Sequence, residues 1–183
     1  MSEISAQLAA ALPPDPVGRP DWFKSLRDSG AEQFRAHGLP VRKDEAWKYT
    51  GLGLITQRET RLANVDDLPL QGSGPQPVVS VEHTINIVNG RILETSIASV
   101  EGVTVLPLAQ AVENDVSGLR KLLESLPVST AKQLSADGFS ALNTATLENG
   151  VFIHVDTGIK GGRLLLNAYT TANDSARLFN TRV

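Results

Sequence analysis

No cysteine occurs anywhere in the chain. That excludes a disulfide framework, a thiol nucleophile, and any thiolate-held zinc or iron–sulfur cluster supplied by this chain alone. Aromatic residues are also scarce, at 5%. No run of five or more basic residues appears, and 17 Lys and Arg stand against 20 Asp and Glu, a formal charge of −3. The electrostatic footprint of a nucleic-acid binder is therefore missing. Apolar runs fall far short of the roughly 20 residues of a membrane span. The opening MSEISAQLAAALPPDP has Glu3 where a secretory signal would have a basic region. Cytoplasmic residence is the expectation, with neither nucleic acid nor membrane as a partner.

What is present is globular. A chain of 183 residues, 41% hydrophobic and 20% charged, can bury a sizeable core. Ile4, Leu8 and Leu12 form the stripe of a short helix that Pro13, Pro14 and Pro16 end. The sequence predicts a second helix over Asp21 to His37, with Asp21 as N-cap, Trp22, Leu26 and Phe34 toward one side, and Gly38 as the stop. Lys43 to Tyr49 then reads as about two helical turns bearing Trp47 and Tyr49.

From Leu68 to Pro77, three prolines and two glycines in ten residues predict a linker. After it the texture becomes β-branched, and alternating apolar residues around Asn89-Gly90 predict a hairpin, because both turn residues must accept positive φ. Helical spacing returns over Pro107 to Leu126, with Leu119, Leu122, Leu123 and Leu126 as its stripe and Ser117 as cap. Asp137 to Leu147 reads as a further short helix, and VFIHV, GRLLLNAY and ARLFNTRV as strands. These strands recur about every 13 residues without a helix between them, which suits a meander or the first coils of a parallel β-helix. The apolar run into Val183 reads as an unfinished edge, prone to self-association.

Candidates for chemistry are few. His37, His83 and His154 lack metal-ligand spacing and read as structural; His154, beside Asp156, is expected on the solvent side of its strand. Asp44-Glu45 and Asp66-Asp67 are adjacent pairs that do not share a helix face, so solvated surface is the reading. Gly51-Leu52-Gly53 lacks the strand and third glycine of a nucleotide fingerprint, and Gly161-Gly162 reads as a turn. No Gly-x-Ser-x-Gly elbow occurs. No catalytic or metal-ligating residue is assigned. Trp47 and Tyr49, two apart and flanked by Arg42, Lys43 and Lys48, cannot both face a core squarely. They read as packing at a domain junction or as a contact for a partner.

Taken in order, Trp22 to Phe34 followed by GLPVRKDEAWKYTGLGLI (38 to 55), INIVNGRILETSI followed by GVTVLPLAQAV (85 to 112), and FSALNTATLENGVFIHVDTG (139 to 158) resemble the SufB/SufD family of iron–sulfur cluster assembly scaffolds. The Pro-rich leader and the hairpin bring the likeness nearer its SufD branch. The resemblance implies an α+β chain with an N-terminal helical region (1–67), a linker (68–77), a β-hairpin plus helix (78–126) and the start of a β-helix core (127–183). It implies a non-catalytic subunit that works with a SufB-like paralogue and a SufC-like ABC-type ATPase. The cluster would be handled by the full complex, with no cofactor bound by this chain alone. The ATPase contacts would come from a C-terminal helical region beyond Val183. The alternatives are a stand-alone interaction module and, less favoured, a β-helix carbohydrate-active enzyme, which would carry clustered carboxylates on one strand face.

Overall fold

A computed structural model describes residues 2–56, 60–63, 81, 83–97, 101–125, 138–170, 176–178 and 181–182. The expected linker at 68–77, the Asp66-Asp67 pair and Val183 lie outside the described residues. The chain divides into two compact units: 1–62 with 112–147 and 174–178, and 63–111 with 148–173 and 179–183.

The first unit is built on helices. In α1 (Glu3–Ala10) the Ser2 hydroxyl caps the start by accepting the Ser5 N–H. α2 (Asp21–His37) runs over the residues predicted, but Pro20 is its N-cap and Asp21 its first helical residue. Its buried face is Phe23, Leu26, Arg27, Gly30, Ala31 and Phe34, a continuous i, i+3, i+4 stripe. Phe23, not Trp22, thus faces the core; Trp22 is half-buried, with the Arg120 guanidinium 6.0 Å from its ring. Gly38 ends the helix at φ 69°, in the left-handed region that favours glycine.

α6 (Gly138–Ala145) lies against α2 at close range. A Cβ on Gly30 would come within 2.7 Å of the Ala145 nitrogen and 2.8 Å of Thr144 Cβ. Ile4, Leu8, Phe34, Leu39, Ala141 and Leu142 form the core, with Ile55, Phe139 and Leu178 packed around it. Arg27, only 3% exposed, clamps the periphery. Its guanidinium donates to the carbonyls of Ala145 (3.2 Å), Pro13 and Pro14 (3.3 Å each) and lies 3.7 Å from the Asp15 carboxylate. Two short strands, β1 (Thr60–Leu62) and β7 (Ala176–Leu178), pair in parallel in this unit.

The second unit is built on strands. β2 (His83–Val88) and β3 (Arg91–Ile97) form the predicted hairpin, and Asn89 (φ 50°) and Gly90 (φ 77°) both take the positive φ that the tight turn requires. A register shift between Asn86 and Ile87 leaves one extra residue on β3, a bulge. β6 (Leu164–Tyr169) pairs with β2 in parallel, giving the order β3-β2-β6, and the Asn167 amide donates to Asn86 Oδ1 (3.0 Å) across that ladder. β4 (Val103–Pro107) pairs antiparallel with β5 (Val151–Val155). Ile85, Ile87 and Val151 form this core, with Val105, Ile153 and Leu164 beside it.

The expected β-helix is corrected here. In such a fold successive strands stack in parallel on one another. Instead, β5, β6 and β7 each take a partner from earlier in the chain, namely β4, β2 and β1. The chain is an α+β protein with small, separate sheets, and no coil of a solenoid occurs among the described residues. The reason is that β4, which was not among the expected strands, supplies an antiparallel neighbour that saturates one edge of β5. Without coils, the β-helix edge expected to drive self-association is also absent from the described residues.

Two further expectations change. The helix predicted over Pro107 to Leu126 is α4 (Leu108–Glu113) and α5 (Leu119–Ser125), broken where Asp115 (φ 46°) and Gly118 (φ 82°) turn the chain. The two turns expected over Lys43 to Tyr49 shrink to a single 3₁₀ turn, Glu45–Trp47. No described helix is long and apolar enough to cross a membrane.

Candidate partner-binding site

The segment after α2 is held by a small set of local bonds. The Leu39 N–H donates to the buried Ser5 hydroxyl (2.9 Å), tying the segment's start to α1. The Val41 N–H donates to Asp44 Oδ2 (2.8 Å), and the Trp47 N–H to the Asp44 carbonyl (2.9 Å). Asp44 therefore organises a turn through both its side chain and its backbone. The Thr50 N–H then donates to the Trp47 carbonyl (3.0 Å), which closes the loop before α3 (Gly53–Thr56).

That short 3₁₀ geometry separates the two aromatic residues singled out above. Trp47 turns inward, half-buried, with its ring 5.2 Å from that of Phe139 on α6 at an interplanar angle of 46°. Tyr49 turns outward and is 91% exposed, with the Lys48 ammonium 5.3 Å from its ring centroid, within cation–π reach. The pair offered for one role thus divides between packing and surface.

Beside Tyr49 lies a groove of about 720 Å³, walled by Pro40, Val41, Arg42, Lys48, Tyr49 and Leu52, with Ser2, Thr50, Gly51 and Gly53 completing the lining. Both charged side chains in the lining are basic. Val41 is 47% exposed, so apolar surface, an aromatic ring and two cations meet at one place. The chemistry available is recognition: two positive charges for anionic groups, flanked by surface for an apolar side chain. Proximity of Arg42 and Lys48 to Tyr49 was visible in the sequence. Pro40, Val41 and Leu52 as walls were not, because their meeting depends on the 3₁₀ turn and the glycines after it.

The remaining candidates stay apart. His37 is exposed at the end of α2, and His154 is exposed 3.4 Å from Asp156 and stacked at 6.3 Å on Phe152. His83 is 3% exposed. It lies on the same face of β2 as Ile85 and Ile87, an alternation that could have been read from the sequence. Its Nε2 is 3.0 Å from the Gly161 carbonyl and must carry the proton to donate there; Nδ1 has no hydrogen-bond partner among the described residues. Gly161 thus serves His83, while Gly162 (φ 74°) makes the turn. Among the described residues no group of three His, Cys, Asp or Glu is placed to hold a metal ion.

No protein-family model matches the chain, and no curated protein does.

Proposed function

We propose that the chain is a SufD-like, non-catalytic scaffold subunit of iron–sulfur cluster assembly, cytoplasmic, acting beside a SufB-like paralogue and a SufC-like ABC-type ATPase. The iron–sulfur cluster is carried by the complex and not by this chain, which contributes no thiolate. The reading rests on the ordered motifs and not on a β-helix. The observation that supports it best is the contact between Trp47 and Phe139. Trp47 belongs to GLPVRKDEAWKYTGLGLI and Phe139 opens FSALNTATLENGVFIHVDTG, so the first of these motifs and the helical opening of the second, about 90 residues apart in sequence, pack within one unit.

Affinity purification from the native source tests the proposal. The expected companions are an ABC-type ATPase and a paralogous scaffold protein, with iron and sulfide in the complex. Deleting residues 1–67 is expected to lower cluster content or disrupt the complex. Purification without these companions, together with unchanged activity of iron–sulfur enzymes in a gene-disrupted strain, would refute it.

A further inference from the structure

The groove between Pro40 and Gly53 has features that a solvated loop does not require. Tyr49 leaves 91% of its surface in water, and next to it Val41 is 47% exposed, in a chain with few aromatics. Aromatic and aliphatic groups clustered at a rim of charge are the composition of recognition surfaces. The charge has one sign: Arg42 and Lys48 line the groove, whereas the acidic neighbours Asp44 and Glu45 do not. Asp44 directs Oδ2 to the Val41 N–H. On a chain of net charge −3 this local positive pair runs against the global balance, so it selects an anionic occupant.

Shape narrows the occupant further. At Gly51 an added Cβ would meet nothing within 4 Å, so the groove is unobstructed there. About 720 Å³ is within the range of ligand-binding clefts and accommodates a few extended residues. Two cations with one exposed ring fall well short of the multiple phosphate contacts that hold a nucleic acid.

We infer that this groove binds a short, extended acidic segment of a partner protein, whose carboxylates pair with Arg42 and Lys48 while an apolar side chain packs against Tyr49, Val41 and Leu52. Arg42 can take a carboxylate in two parallel hydrogen bonds, and Lys48 supplies a point charge beside the Tyr49 ring. This inference stands on the groove alone and is independent of any role in cluster assembly.

The test is a titration of the ¹⁵N-labelled full chain with a seven-residue peptide alternating Glu with Leu and Phe. A peptide with Lys in place of Glu and an eight-nucleotide oligo-dU serve as comparisons. Amide shifts are expected at Ser2 and within residues 41–53, with binding that weakens as salt rises. Arg42→Glu combined with Lys48→Glu is expected to weaken binding at least tenfold, and Tyr49→Ala severalfold. All three positions are at the surface, and thermal melting of each variant confirms that it is folded. Absence of shifts at millimolar peptide, an equal response to the lysine peptide, a preference for oligo-dU, or undiminished affinity in the charge-reversed variant would each overturn the assignment.

Discussion

Gly30 sets two well-understood effects against each other, and their difference fixes the sign of a measurable change. It lies in the middle of the 17-residue helix α2, where replacing glycine by alanine ordinarily stabilises. The gain is about 0.5–1 kcal/mol, through lower backbone entropy in the unfolded chain. Against that, the new methyl would fall 2.7 Å from the Ala145 nitrogen, 2.8 Å from Thr144 Cβ and 3.0 Å from the Ala141 carbonyl oxygen. Two of those three atoms are backbone, which no rotamer change moves aside. Relief requires α6 to back away from α2, loosening the packing around Phe34, Ala141 and Leu142. Overpacking of this kind costs about 1–3 kcal/mol. The steric effect wins, so Gly30→Ala is expected to destabilise by about 1–2 kcal/mol, or about 2–8 °C in melting temperature for a chain of this size. Thermal and urea denaturation followed by circular dichroism measure it. Ala36→Gly, at an exposed position of the same helix, reports propensity alone and should cost about 1 kcal/mol. A Gly30→Ala variant that melts above the parent would refute the close approach of the two helices.

Other expected outcomes follow from single contacts. Arg27→Ala removes the donor to the carbonyls of Ala145, Pro13 and Pro14 and the ion-pair partner of Asp15, and should cost about 3–5 kcal/mol in urea denaturation; a loss below about 1 kcal/mol would contradict the clamp. Ser5→Ala strips the acceptor from the buried Leu39 N–H and is expected to lower stability by about 1–3 kcal/mol, with hydrogen exchange at that amide accelerated. Gly90→Ala forces a side chain into a φ of 77° and should cost about 1–2 kcal/mol, read by the same melts. Tyr49→Ala should leave stability within about 0.5 kcal/mol, as befits a residue 91% exposed.

Part of the molecule was legible from local patterns. The span of α2, its Gly38 stop and the hairpin at Asn89-Gly90 all rest on interactions within a few residues: helical periodicity, a left-handed cap and a turn needing two positive φ values. The surface role of His154 also follows from spacing. The short 3₁₀ turn that separates Trp47 from Tyr49 was not predicted: the Asp44 carbonyl takes the Trp47 N–H, which an α-helix over Lys43 to Tyr49 would have bonded to the Lys43 carbonyl.

Tertiary structure decided what periodicity cannot express. A strand's sequence states which face is apolar but not which edge meets which neighbour. For that reason VFIHV and LLLNAY fitted stacked coils equally well until β4 and β2 proved to be their partners. The groove beside Tyr49 likewise depends on residues from Ser2 to Gly53 converging in space. By itself the sequence determined a cysteine-free chain with helices early, strands late and a basic, aromatic segment after the second helix. The pairing of those strands and the close seating of α6 on Gly30 arose only from long-range contacts, whose energies are set by packing and not by any local propensity.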